Sequence, residues 1–201
     1  MSPSLHLALT ALLAAAPAAA VAQASDPAAT QIQGLNDALI AAMKQGKAAG
    51  VQGRMRTLTP AVERALDLPT MTRLAVGPAW SGFSPADQAA VTRAFSRMSV
   101  ASYAKNFDSY GGEQIKVDKV ESRGPDKLVH TSIASPGAKP ELLVYRMRQA
   151  ADGSWKVIDV FYRGSISELA TRRSDFASAV KAGAPALVKR IDALTAKLMA
   201  G

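Results

Sequence analysis

Residues 141–162 have the sequence ELLVYRMRQAADGSWKVIDVFY, which contains two apolar runs on either side of a turn signal. The dipeptide Asp152-Gly153 favours a tight reversal of the chain because glycine adopts a positive φ at little cost. Side chains alternate along both runs, with Leu143, Tyr145 and Met147 on one face of the first run. In the second, Ile158, Val160 and Tyr162 alternate with Trp155, Val157, Asp159 and Phe161. This pattern predicts an antiparallel hairpin that is apolar on both faces of its second strand.

Two further strand-like runs precede the hairpin, at residues 114–121 and 128–134. Gly124-Pro125-Asp126 and Pro136-Gly137 separate the runs and are typical turn sequences. Parallel strands need long crossover connections, whereas these connections are short. The sequence therefore predicts a twisted antiparallel sheet of four strands, at residues 114–121, 128–134, 141–148 and 155–162.

Helical patterns flank the sheet on both sides. Before it, residues 31–45 form an amphipathic pattern, a second helix surrounds residues 51–58, and Thr59-Pro60 predicts the start of a short separate helix. Asp67 and Ser84 predict two more starts, the second opening a central helix to about residue 106. After the sheet, residues 165–168 fit a capping box, and Gly183 predicts a break before a last helix. The fold class is α+β, with one domain over residues 25–201.

The composition and charge of the chain exclude several classes of protein. The 201 residues include 24 Lys and Arg against 16 Asp and Glu, a net charge of +8, and no cysteine. Thiolate metal sites, disulfide scaffolds, iron–sulfur clusters and thiol nucleophiles are therefore excluded. The positive charge suits an anionic partner, but it is spread along the chain rather than concentrated in a basic stripe with interleaved aromatics. We expect no nucleic-acid partner.

The first 24 residues form a pattern typical of secretory signals. Residues 5–21 are an almost unbroken run of Leu and Ala without any charge, followed by the small-x-small site Ala22-Gln23-Ala24. An uncleaved anchor is the alternative, although so alanine-rich and short a segment makes a weak membrane span. We expect cleavage after residue 24 and export to the periplasm.

Catalytic motifs are nearly absent: the sequence has no nucleophile elbow, phosphate-binding loop or zinc-protease motif. His130 is the only histidine after residue 24. Asp159 lies in the middle of an apolar strand, where it is either an acid or base in a pocket or a structural carboxylate that binds an Arg or backbone amides. An enzyme on a cone-like α+β fold, using Asp159 with Tyr145 or His130, is thus one hypothesis. No metal or cofactor is expected.

Apolar and aromatic residues suggest a second hypothesis. All 11 aromatic residues lie between Trp80 and Phe176, around the central helix, the sheet and the helix after it. They form either an ordinary core or the wall of a large apolar cavity between sheet and helices, which flexible methionines such as Met98 would help to line. The pair Arg172-Arg173 on the following helix is either solvated or contacts an anionic head group or an acidic partner. A structural envelope protein without cargo is a third possibility.

Several motifs together resemble the MlaC family of periplasmic phospholipid carriers, also called toluene-tolerance proteins. They occur in the family's order at residues 67–69 (DLP), 75–80 (AVGPAW), 84–88 (SPADQ), 143–148 (LVYRMR) and 152–160 (DGSWKVIDV). Residues 167–176 (SELATRRSDF) are more similar to the hopanoid-biosynthesis-associated HpnM branch. The chain differs at Arg172, where the broad family tends to have Tyr.

The resemblance implies a soluble, non-enzymatic carrier that holds lipid chains between the sheet and the helices. It also implies exchange of the lipid with an inner-membrane ABC-transporter complex and an outer-membrane lipoprotein complex. The cargo would be a phospholipid or, for the HpnM branch, a hopanoid-type lipid. Arg172 and Arg173 would contact the head group or a partner, and the residues expected to line the lipid site are Trp80, Val91, Phe95, Met98, Leu143, Tyr145, Met147, Ile158, Val160 and Tyr162.

Overall fold

The computed structural model describes residues 26–200, so the expected signal segment lies outside the described residues. Helix α1, Pro27–Gln45, begins where Asp26 accepts a hydrogen bond from the Ala28 N–H at 2.8 Å. It ends at Gly46, whose positive φ of 64° favours glycine. A 3₁₀ turn, Lys47–Ala49, then leads into helix α2, Gly50–Ala65.

Helix α2 corrects one expectation. Pro60 lies inside this helix and does not start a new one, and the Thr59 hydroxyl donates to the Met55 carbonyl at 2.8 Å. A proline inside a helix removes one backbone hydrogen bond. Burial of Leu58 and Val62 on either side of Pro60 offsets that loss, because both side chains belong to the hydrophobic core.

The next two helices begin where the sequence predicts. Helix α3, Leu68–Val76, is capped by Asp67, which accepts from the Thr70 N–H at 3.0 Å. A 3₁₀ segment, Gly77–Gly82, connects it to the central helix α4, Pro85–Asn106. Ser84 caps α4 by accepting from the Asp87 N–H at 3.2 Å. The two capping residues thereby fix the start of the helices that cover the sheet.

The sheet is antiparallel throughout, as predicted, with the order β1-β2-β3-β4-β5. It has five strands instead of four, because the two residues before the next helix pair with the end of β4. The strands are β1 Gln114–Arg123, β2 Asp126–Ala134, β3 Glu141–Gln149, β4 Trp155–Tyr162 and β5 Ile166–Ser167.

Two helices follow the sheet. Helix α5, Glu168–Lys181, is capped by Ser167, two residues after the start that the capping-box pattern predicts, and Gly183 separates it from α6, Ala184–Met199. The helices pack on one face of the sheet around a single apolar core. Among residues 26–200, no helix combines the length and the hydropathy that crossing a bilayer requires.

A bulge between β3 and β4 changes which side chains face the helices. Arg146 pairs with Asp159, whereas Met147 pairs with Val157, so that Ile158 is an extra residue. Because directly paired side chains point to the same face, Val157 and Val160 lie on the helix side of the sheet. The alternation expected from the sequence, with Ile158 on that face and Val157 and Asp159 together on the other, is therefore wrong for residues 157–159.

Candidate functional site

The interior between α4 and the sheet contains most of the apolar residues selected from the sequence. They belong to one continuous cluster: Val91, Phe95, Met98, Leu143, Tyr145, Met147 and Val160. The side chains of Val91, Tyr145 and Met147 are 0% exposed, and Phe95 packs edge-to-face against Phe176 with ring centroids 6.4 Å apart. Side chains thus fill the space between helix and sheet in this conformation.

The three other residues predicted for this site lie at its margins. Trp80 is partly buried and packs against the cluster. Ile158, the bulged residue, is buried but does not belong to the cluster. Tyr162 is 39% exposed at the end of β4. The structure therefore brings seven of the ten residues together in the core and leaves Tyr162 at the rim.

A group of polar side chains lies where the sheet meets α4 and α5. Tyr145 from β3, Tyr162 from β4, Tyr103 from α4 and Glu168 from α5 are close enough to interact electrostatically. We call these four residues the tyrosine–glutamate cluster. Burial raises the pKa of Tyr103 and of Tyr145, and the negative charge of Glu168 raises both further, so that both phenols stay neutral at physiological pH.

Glu168 is held by the next turn of its own helix. Arg172 Nη2 lies 3.2 Å from Glu168 Oε1, and Arg172 Nη1 lies 3.6 Å from Asp175 Oδ2. Burial raises the pKa of Glu168, and the neighbouring guanidinium of Arg172 only partly opposes that rise. Arg172 thus contacts two carboxylates through Nη1 and Nη2, while its buried Nε has no hydrogen-bond partner among the described residues.

A small open pocket of about 110 Å³ lies directly beside the cluster. Its wall combines the polar Glu168 and Arg172 with two apolar residues at the surface, Tyr162 and Ile166. Ile166 is 54% exposed and lies beside the partly buried carboxylate of Glu168. The pocket is open to solvent and lies beside the polar end of the apolar interior.

The two arginines predicted to act together point to different places. Arg173 donates through Nη2 to the Leu74 carbonyl at 2.5 Å, near the C-terminal end of α3. That contact ties α5 to α3 and satisfies an otherwise free helix carbonyl. Only Arg172 is at the pocket.

Asp159 has a structural environment. Its Oδ1 accepts from the Val160 N–H at 2.8 Å and the Leu169 N–H at 3.2 Å, and its Oδ2 accepts from the Ser167 hydroxyl at 2.7 Å. The carboxylate therefore fixes the first turn of α5 against β4.

His130 pairs across β2 and β3 with Val144, on the face opposite Tyr145, and its Nε2 lies 3.6 Å from Glu121 Oε2. Tyr145 therefore lies on the opposite face of the sheet from His130 and Asp159, and three donors already occupy the Asp159 carboxylate.

Sequence reasoning missed Tyr103 and Glu168. Tyr103 lies eight residues after Phe95 on the same helix, a spacing that continues the buried stripe of α4. Glu168 and Arg172 are spaced i, i+4, which predicts an ion pair on one helix face. Neither pattern shows that the side chains meet a tyrosine from the sheet, because that contact depends on how α5 docks. Residues 26–200 contain no group of three or more metal-binding side chains.

Comparison with known proteins adds two findings. The family model described as MlaC protein matches residues 33–200. A solved structure of a phospholipid-binding protein from Ralstonia solanacearum, in complex with a phospholipid, has a TM-score of 0.74 and 21% sequence identity. The match covers 85% of this chain and 98% of that chain, and it shows that the two share a fold. No curated protein matches this sequence.

Proposed function

The chain belongs to the MlaC family, and on that premise we propose that it is a periplasmic lipid carrier that holds the apolar part of one lipid between α4 and the sheet. The observation that carries this proposal is the continuous apolar cluster between those two layers, with a polar pocket at one end. The phospholipid-bound neighbour with the same fold supports it.

Lipid transfer through water is a problem of hydrophobic burial. Each methylene removed from water contributes about 0.8 kcal/mol, so a long-chain lipid leaves a membrane only when a dry interior receives it. The interior of this conformation is filled with side chains, and acyl chains must take the place of the contacts between α4 and the sheet. Methionines 98 and 147 suit that exchange because their unbranched side chains adopt many shapes.

Helices α1 and α5 contact the strands of the sheet most extensively, while α4 packs mainly against α2 and α6. We infer that α4 is the helix that moves away from the sheet when lipid enters. Separation of α4 from the sheet would therefore leave the helices at the sheet margins in place. The pocket beside Tyr162 and Ile166 is the proposed entrance, because it opens to the surface beside the polar end of the interior.

The wider setting follows from the same premise. Residues 1–24 act as a cleaved signal peptide, residues 25–201 form one lipid-binding domain, and the cargo is a phospholipid or a hopanoid-type lipid, the latter as in the HpnM branch. The partners are an inner-membrane ABC-transporter complex and an outer-membrane lipoprotein complex. Contact with membrane surfaces is transient in this proposal.

Native mass spectrometry and organic extraction of the exported, purified protein test the function. We expect one lipid per protein, and we expect the lipid-stripped protein to take up lipid from vesicles of phosphatidylethanolamine and phosphatidylglycerol. A protein that is empty after purification and takes up nothing from vesicles would overturn the proposal.

A matched pair of variants tests the entrance. Ile166→Glu places a charge at the pocket rim, and Leu142→Glu places one at a side chain of similar exposure, 50%, that lies away from this pocket. We expect at least tenfold slower uptake for Ile166→Glu and unchanged uptake for Leu142→Glu. Equal rates for the two variants would show that lipid enters elsewhere.

A further inference from the structure

The hydroxyl of Tyr145 is a buried polar group without a hydrogen-bond partner in the described part of the chain. The residue is 0% exposed and lies in the middle strand of the sheet, on the helix side. A buried donor left without a partner costs about 1–3 kcal/mol relative to its hydrated state. Phenylalanine would fill the same volume at that position without this cost, so the hydroxyl requires a reason.

The environment of this hydroxyl restricts the chemistry of a partner. Burial and the nearby Glu168 raise the pKa of Tyr145, so its phenol is a neutral donor. The charge of the Arg172 guanidinium is matched by two carboxylates, since Nη2 contacts Glu168 and Nη1 contacts Asp175, although its Nε has no partner among the described residues. An anionic group placed here would be desolvated next to a carboxylate, which is unfavourable. An uncharged oxygen meets no such opposition.

We propose that Tyr145 Oη donates a hydrogen bond to an uncharged oxygen of the bound lipid, at the junction between its polar and apolar parts. This inference rests on the proposed carrier function and adds the class of atom that the interior recognises. Two lipid types present such an oxygen: the ester carbonyl of a glycerolipid and the hydroxyl of a polycyclic alcohol. Charge on the head group stays outside, beyond the pocket lined by Tyr162 and Arg172.

Two matched lipid pairs separate these sources. Ester-linked and ether-linked phosphatidylcholine of equal chain length differ in the carbonyls, and a hopane alcohol and the corresponding hopane hydrocarbon differ in the hydroxyl. Each pair competes for the lipid-stripped protein, and bound lipid is measured by mass spectrometry. In at least one pair, we expect about a tenfold preference for the lipid that has the carbonyl or the hydroxyl. A buried donor that gains a partner contributes about 1.4 kcal/mol.

Tyr145→Phe is the decisive variant. This variant should bind the two lipids of a pair about equally and should still bind the ether lipid or the hydrocarbon. The control is Tyr110→Phe, an exposed tyrosine that lies under the Lys44 ammonium, 5.1 Å from its ring centre. That variant should keep the wild-type preference.

The Tm of the lipid-free proteins distinguishes an unpartnered hydroxyl from one that has a structural role, because the two cases shift Tm in opposite directions. Tyr145→Phe removes an unpartnered donor and should raise Tm, whereas loss of a hydroxyl with a protein partner would lower it. A lower Tm, or equal binding within both lipid pairs by the wild type, overturns this inference and leaves the carrier function standing. Failure to bind any of the four lipids overturns the carrier function as well.

Discussion

Asp126 on the outer face of the sheet and Tyr145 on its inner face are polar side chains that are almost completely buried, and the two are satisfied differently. On the outer face, Asp126 is only 3% exposed and accepts from Arg148 Nε at 2.6 Å, Arg148 Nη2 at 3.0 Å and Arg146 Nε at 2.6 Å. On the inner face, Tyr145 is fully buried and its hydroxyl has no partner among the described residues. The protein itself therefore satisfies the Asp126 carboxylate, whereas the Tyr145 hydroxyl has a hydrogen-bonding capacity that a ligand can use.

This contrast has a physical origin in the sheet register. Asp126 is opposite Arg148 across β2 and β3, so cross-strand pairing itself supplies its partner. Tyr145 is opposite Val129 on one side and Val160 on the other, and neither offers a polar side chain. The helices that cover Tyr145 contribute mainly apolar contacts. A lipid carrier needs this arrangement, because the interior must receive an apolar molecule and still distinguish its polar end.

The largest expected effect is a charge placed on the inner face. Val160→Asp puts a carboxylate at a position that is 2% exposed, and we expect it to lower the free energy of unfolding by more than about 4 kcal/mol. Urea unfolding followed by circular dichroism measures the loss. Phe161→Asp, at the next residue and on the outer face, is the control and should cost much less. Similar losses for the two variants would contradict the distinction between the faces.

A smaller effect is expected from Asp126. Burial raises the pKa of Asp126, but hydrogen bonds from Arg148 and Arg146 outweigh it, and the net pKa is lowered. Since the arginines are half exposed, we expect Asp126→Asn to cost about 1–2 kcal/mol of the free energy of unfolding.

The pH dependence follows from the sign of that shift. A carboxylate with a lowered pKa in the folded state stabilises above its unfolded pKa, about 3.9, and loses this contribution as the pH falls through the folded pKa. The wild type should therefore lose more stability below pH 4 than Asp126→Asn does. Asp118→Asn, at an exposed carboxylate that accepts from Ser132, is the control and should titrate as the wild type does. If the free energy of unfolding of wild type and of Asp126→Asn fell in parallel below pH 4, the ion pairs of Asp126 would not account for the loss of stability in acid.

The smallest effect is a gain in stability at Asn36. This α1 residue is 1% exposed, and neither its Oδ1 nor its Nδ2 has a partner within residues 26–200. Asn36→Leu keeps the number and branching of the side-chain heavy atoms and removes both unpartnered polar atoms, so it should raise the free energy of unfolding of the lipid-free protein by about 1 kcal/mol. Thermal unfolding measures the gain, with the exposed neighbour Asp37→Ala as control.

Lipid uptake by the same variant sharpens the comparison further. Unchanged uptake by Asn36→Leu would leave Tyr145 as the polar group that matters for the ligand. Reduced uptake together with higher stability would make Asn36 a second group on the helix side that the lipid satisfies. A lower Tm for Asn36→Leu would instead show that the amide is partnered in the folded protein.

The sequence patterns locate most elements because their signals are local. Asp67 and Ser84 cap the helices that follow them, and Gly183 separates the last two helices, since each depends only on nearby backbone groups. Pro60 is different: whether a helix continues through a proline depends on how much burial its neighbours gain. The start of α5 at Ser167 similarly depends on the pairing of Ser167 with Phe161 in the sheet.

The sequence by itself determines the antiparallel hairpins, the apolar stripe of α4 and the residues available to form a buried interior, because periodicity and turn residues act over a few positions. Only the tertiary structure decides which of them face each other. The bulge at Ile158 reverses the side-chain alternation, Asp159 binds the first turn of α5, and Arg173 turns away from Arg172 to α3. The unpartnered hydroxyl of Tyr145 belongs to this second class, since satisfaction of a buried group depends on every element packed around it.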